Sequence, residues 1–254
     1  MPLPFALRIG LRRLPALVRA PFVPTPPRAV PERFSHVQCV RASPLRRQGT
    51  LYGPAMQAAK EHNVRRAAEL LDGVVVPPGG TFSWHRVIGP PIRARGFVPG
   101  PELHDGVLAA GGGGGACQAA NLVWWLAVHG GLDVVERHRH GLDLFPDHDR
   151  SAPFGAGATV FWPHRDLRLR NPHDQAVVLE VRVGDDQLVG RLRFERDPGA
   201  RWELVEEAHR FVREGEATFR ENVLWRRECG SGQRTLLARN RARVAYPVEG
   251  LAPR

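Results

Sequence analysis

The sequence predicts an α+β fold: N-terminal helices with a glycine loop and a cysteine-led helix, followed by a mainly antiparallel sheet. Two apolar stretches of helical period lie in the first half of the 254 residues. From Ala158 onward, short alternating segments are separated by turn residues such as Asn171-Pro172 and Gly184-Asp185-Asp186. Between these halves, the run Gly111–Gly115 followed by Ala116-Cys117-Gln118 marks a place where the chain turns sharply or lets another group approach its backbone.

Residues 1–45 are rich in Pro and Arg and read as a basic arm with little regular structure; a single domain is expected over residues 46–250. Met56, Ala59, Asn63, Ala67 and Leu70 recur three or four apart, with Pro54 suited to the first helical position and Asp72-Gly73 ending the helix. Val74–Val76 reads as a short strand, and Thr81–Trp84 resumes an alternation after a Pro/Gly turn. Ile88–Gly100 reads as a long loop, and Leu103–Ala110 as a strand leading into the glycines. The second helix runs from Cys117 to about His129 and stops at Gly130-Gly131. Leu132–Leu144 reads as extended, with Glu136, His138 and His140 pointing one way and Arg137, Arg139 and Asp143 the other. Further strands are expected at Ala158–Trp162, Asp166–Arg170, Ala176–Val183, Gln187–Glu195, Arg201–Glu207, Thr218–Arg227 and Ala242–Tyr246.

The formal charge of +10 rests almost wholly on arginine, since Lys60 is the only lysine. The arginines are scattered among acids and no nucleic-acid-binding signature accompanies them, so a merely basic surface is the simpler reading. No stretch reaches the ~18 apolar residues of a membrane span. Arg12-Arg13 suggests a twin-arginine signal, but Arg19 and five prolines between Pro15 and Pro27 interrupt its apolar part; no cleaved signal is expected. Cys39, Cys117 and Cys229 are odd in number and far apart, which argues against a disulfide framework and for a cytoplasmic location. No cofactor is called for.

A cysteine at a helix start sits where the helix dipole favours a thiolate. An imidazole on the following strand, His138 or His140, would complete a nucleophile–base pair, with Asp143, Glu136 or Asp166 orienting the ring. Gln118 and Asn121 would then donate to an oxyanion. Two other readings stand beside this one. His138-x-His140 with Cys117 or His148 has a spacing that suits zinc, without a supporting metal motif. Alternatively, the histidines are solvated, Trp124-Trp125 anchor the core, and the glycines are architectural.

The stretch Gly112–Leu126, then Val135–His140, Asp143–Asp147, Arg150, Pro153–Gly155, Gly157–Thr159 and Arg170-Asn171, resembles the VanW-like family. So do Pro78–Trp84 and Gly96–Gly100 upstream, and Arg220–Asn222 and Asn240–Tyr246 downstream; the resemblance spans about residues 50–246. It implies a link to glycopeptide resistance and the cell wall, without specifying a molecular activity. Many relatives carry Asp before the Ala-Thr pair, where this chain has Gly157. Two functions follow as expectations. One is a Cys117/His140 or Cys117/His138 enzyme acting on a peptide or amide. The other is a non-enzymatic module that holds a peptidoglycan or peptide fragment at Gly113, Gly114, Gly115, Arg137, Trp84 and Phe82.

Overall fold

The computed structural model describes residues 30–46, 53–104, 107–139, 141–143 and 152–248. It is mostly β, and its sheets are antiparallel apart from one short pairing. The first described element is a strand, β1 (His36–Pro44), which lies inside the stretch read from sequence as an irregular arm. It pairs antiparallel with β10 (Gln187–Phe194), some 150 residues later in the chain. Next come β2 (Val74–Val76), β3 (Thr81–Ser83), β4 (Pro99–His104), β5 (Val107–Gly112), β6 (Asp133–Glu136), β7 (Leu142–Asp143), β8 (Arg168–Arg170) and β9 (Val177–Val183). β11 (Trp202–Glu214), β12 (Ala217–Glu228) and β13 (Arg234–Val244) close the chain.

One sheet has the order β1-β10-β9-β2, and a second β11-β12-β13-β7, in which only β13 and β7 run parallel. A small sheet β3-β8-β6 and the hairpin β4–β5 complete the architecture. The alternation in β10 is the plainest case of period two: Leu188, Gly190, Leu192 and Phe194 point inward while their neighbours are half-buried or exposed.

Three α-helices are described: α1 (Pro54–Leu71), α2 (Trp84–Ile88) and α3 (Cys117–His129). α1 begins with Pro54, whose missing N–H costs nothing in the first turn, and it packs on β4 and β9. α2 is capped by Ser83, whose Oγ accepts from the Arg86 amide at 3.2 Å. α3 is the centre of the core. Ala119, Ala120, Leu122, Val123, Trp124, Leu126, Ala127 and Val128 are all buried, so it is apolar on nearly every side and must be enclosed. It lies against β1 and β10 on one side and β6 and β11 on others. Gly190 admits it: a Cβ there would stand 2.7 Å from Leu122 Cδ2 and 2.8 Å from Leu126 Cδ1. Each buried leucine or valine contributes about 1.5–3 kcal/mol relative to exposure. No described helix is long and apolar enough to cross a membrane.

Several sequence expectations are corrected. Ala158–Trp162 is not a strand; it leads into a turn closed by a single bridge between Phe161 and Arg165, with a cis Trp162–Pro163 peptide bond. Its alternation of Ala158, Val160 and Trp162 imitates a strand, yet the segment finds only isolated partners, such as the Thr159 amide on the His138 carbonyl at 2.8 Å. Part of the expected Ile88–Gly100 loop is regular, since β4 begins at Pro99. β13 begins at Arg234, well before the expected Ala242, and ends at Val244 rather than Tyr246; its first residues, Arg234–Ala238, are exposed or half-buried and show no apolar period.

Candidate functional site

Cys117 opens α3 directly after the glycines, with no side chain capping the helix. Its Sγ donates to the Val160 carbonyl at 3.7 Å. Burial of the sulfur pushes the thiol pKa above its ordinary value, and Glu102 adds to the push. Arg165 and backbone hydrogen bonds pull the other way without reversing it. The expected thiolate is thus replaced by a protonated thiol, because desolvation of the charged form outweighs the partial charge of a helix end.

His138 lies elsewhere in its bonding: Nε2 is 2.9 Å from Glu136 Oε1. That same carboxylate oxygen accepts from the Asp166 amide at 3.2 Å. Burial pushes the Glu136 carboxyl up, but the bonds to His138 and the Asp166 amide hold it below the usual range. No contact joins His138 to Cys117 among the described residues, and His140 lies outside them. His148 also lies outside, and among the described residues no three metal-binding side chains converge.

The partners of Asp143 among the described residues lie in and beside the second sheet. Asp143 is buried there, where it accepts from Tyr246 Oη at 2.8 Å and pairs with Arg220 at 3.3 Å. Gln118 does not face an oxyanion: its Nε2 donates to Ser43 Oγ at 2.6 Å and to the Pro44 carbonyl at 2.7 Å, tying α3 to the end of β1. Asn121 Oδ1 accepts from the Ala158 amide at 2.7 Å. That bond accounts for Gly157, since a Cβ at 157 would stand 2.3 Å from Asn121 Oδ1. An Asp at 157 and this placement of Asn121 exclude one another.

The residues assigned to ligand holding divide sharply. Phe82 and Trp84 are core residues, 4% and 3% exposed. Gly113 and Gly115 have positive φ, +82° and +93°, which only glycine adopts freely. Gly113 packs on Pro91, Gly114 on Gly100 and Gly115 on Lys60. The Gly113 and Gly114 amides donate to the carbonyls of Val98 and Gly111, so these two do not form an open anion cradle. Arg137 is different. Its Nε donates to the Gly157 carbonyl at 2.6 Å, its Nη2 donates to the Gly155 carbonyl, and its cation lies 4.8 Å from the Trp124 ring centre.

The structure also assembles a cluster that the sequence does not announce. Ser83 Oγ donates to Asp166 Oδ2 at 2.6 Å, and Asp166 Oδ1 accepts the His85 amide at 2.9 Å. The His85 ring stands edge-on to Trp162 at 4.9 Å, and its Nε2 is buried without a partner. Ser83-x-His85 is too common a spacing to signal this, and Asp166 joins it only through the pairing of β3 with β8.

Burial pulls His85, His129 and His173 below the ordinary histidine pKa, against weaker opposing terms that include Asp166 at His85 and carbonyl bonds at the other two. In the unfolded chain these rings take up protons first as pH falls, so unfolding binds protons. Stability is therefore full above about pH 6.5, the unfolded value, and declines below it. Urea midpoints at pH 7.5 and 5.5 test this above the range where carboxylates titrate. The midpoint is expected to be lower at pH 5.5, and an equal or higher one contradicts the assignment of neutral buried rings.

A family model described as VanW like protein matches residues 59–193. The chain is 27% identical over 197 residues to the vancomycin B-type resistance protein VanW of Enterococcus faecalis, covering 76% of this chain and 72% of that protein. It is 28% identical over 179 residues to the uncharacterized protein YoaR of Bacillus subtilis, covering 69% of this chain and 55% of that one. No solved structure matches.

Proposed function

The chain belongs to the VanW-like family, and from that premise we propose that it serves glycopeptide resistance as a module that holds a cell-wall peptide, with Cys117 as a structural thiol. The observation that carries this reading is the sulfur itself. Cys117 is half-buried, its Sγ is bonded to the Val160 carbonyl, and desolvation holds its pKa above the ordinary thiol value. A nucleophilic cysteine needs a thiolate and an imidazole within about 3 Å, loosened somewhat without substrate. The described residues named for that chemistry have other partners: His138 is bound to Glu136, Asp143 to Arg220 and Tyr246, and Gln118 and Asn121 to backbone and Ser43. The resistance role is drawn from the name of the enterococcal relative.

Two measurements test the proposal. Muropeptides titrated calorimetrically into the wild-type protein and Cys117→Ser should bind both with similar affinity, and mass spectrometry should recover them unchanged. Products formed by the wild type and absent with Cys117→Ser would overturn it. Under iodoacetamide at pH 8, the exposed Cys229 should be alkylated well before Cys117. Cys39, whose thiol burial pushes up to about 12, should also lag. A Cys117 faster than Cys229 would restore the nucleophile reading.

A further inference from the structure

We infer that Arg137 and Arg139 form a site for a free carboxylate of the bound peptide, an assignment that takes its ligand class from the binding role proposed above. Arg137 and Arg139 lie two residues apart on the segment after β6, close enough for the Arg139 charge to act on Arg137. Neither has a carboxylate partner among the described residues. Arg137 bonds only to the carbonyls of Gly155 and Gly157 and stacks on Trp124. Arg139 donates to the Arg241 carbonyl.

A buried cation is ordinarily paired, because removal from water is costly without a counter-charge. Here carbonyl dipoles and an aromatic face orient Arg137 but carry no net negative charge. Burial, with Arg139 adding, brings its pKa down to about 10, so the guanidinium stays charged near neutrality with no carboxylate partner among the described residues. Burial also lowers the Arg139 pKa, and no acid opposes it.

The geometry of the fork matters as much as the charge. Nε and Nη2 of Arg137 are the atoms that face the two carbonyls, whereas Nη1 has no partner among the described residues. Nη1 is also absent from the enclosed, unpartnered polar atoms, so it reaches the surface. The guanidinium is therefore held in one orientation with a donor edge turned outward. Arg139 supplies a second cation beside it. A planar carboxylate suits such an edge, with N–H···O bonds strengthened by charge on both partners. Trp124, fully buried on α3, keeps the guanidinium from swinging away.

The test uses an N-acetylated peptide with a free C-terminal carboxylate, the same peptide C-amidated, inorganic phosphate and muropeptides. The full chain and two variants, Arg139→Gln and Arg137→Lys, are titrated calorimetrically. Arg139→Gln is the decisive variant, since Arg139 anchors only one carbonyl, whereas Arg137→Lys also releases a loop. Amidation should weaken binding by about tenfold or more, and Arg139→Gln should weaken the carboxylate peptide similarly while leaving the amide unchanged. If muropeptides bind but neither amidation nor Arg139→Gln matters, the arginine site is wrong and the binding role stands. If muropeptides fail to bind while the carboxylate peptide binds through Arg139, the site stands and the binding role falls. Binding of neither removes both. Phosphate binding tighter than the carboxylate peptide and lost with Arg139→Gln would overturn the carboxylate assignment.

Discussion

Arg220→Ala is expected to cost about 3–5 kcal/mol of stability, the usual penalty when one member of a buried ion pair is removed and its partner stays behind. Both side chains are almost wholly enclosed, at 3% exposed for Arg220 and 4% for Asp143. Arg220, on β12, holds Asp143 of β7 and donates through Nε to His209 Nε2 of β11 at 2.8 Å. Its cation lies between Phe154 and Phe211, 4.8 and 5.2 Å from their ring centres. Tyr246, just beyond β13, donates to the same carboxylate. One guanidinium thus connects β7, β11 and β12 of the second sheet with the segment that follows β13. Truncation leaves Asp143 buried without its guanidinium partner, still accepting from Tyr246. Urea unfolding of Arg220→Ala and of Arg220→Ala/Asp143→Ala checks this. With Asp143→Ala measured beside them, the double variant should be less destabilised than the sum of the singles, because it leaves no buried carboxylate without its guanidinium. A loss under about 1 kcal/mol for Arg220→Ala, the range of an exposed pair, would show that this cluster is solvated.

The antiparallel sheets were readable in the sequence where one strand face is buried and the other is not. β10 is such a strand, its buried Leu188, Leu192 and Phe194 alternating with Val189, Arg191 and Arg193, and the turn before it carries Gly184-Asp185-Asp186; β12 is not, since its buried positions include Arg220, Asn222 and Arg226. β1 was not readable for two reasons. Its polar residues conceal the alternation, and its partner lies far along the chain, so nothing local specifies the pairing. Ala158–Trp162 fails in the opposite direction: it has the period of a strand but no neighbouring edge to join.

The site divides along the same line. Residue type and order identify Cys117, His138 and Asp143 as polar groups capable of chemistry. They do not say which group each will face. That is set by tertiary packing, which gives Cys117 to Val160, His138 to Glu136 and Asp143 to Arg220. Burial is the other term missing from a sequence. It raises the Cys117 pKa where a helix start was expected to lower it, and it makes Arg137 a half-buried cation rather than a fully solvated one.

Gly114→Ala is expected to destabilise the protein by about 3 kcal/mol, the upper end for overpacking, because the clash is backbone on backbone. A Cβ at 114 would stand 2.3 Å from the carbonyl carbon and oxygen of Gly100 and 2.7 Å from the Pro101 nitrogen. A Cβ at Gly100 would in turn stand 2.5 Å from the Gly114 oxygen, so neither residue tolerates a side chain. Relief by rotation is unavailable. The Gly114 carbonyl is held by Asn63 Nδ2 at 2.9 Å, and the same amide group donates to the Val98 carbonyl and accepts its N–H. Asn63 is fully buried on α1, so the contact can open only by parting the glycine run from β4 and α1 together. Gly230→Ala, at an exposed turn with nothing within 4 Å of the new Cβ, should change stability by no more than about 0.5 kcal/mol. The comparison also separates two uses of the glycines. If they served chiefly to cradle a ligand, Gly114→Ala would keep its unfolding midpoint and lose only binding. Where they serve to seat α3, the midpoint falls and the start of the helix shifts. Cys117 then leaves the Val160 carbonyl and becomes open to iodoacetamide, at a rate that rises with the loss of stability.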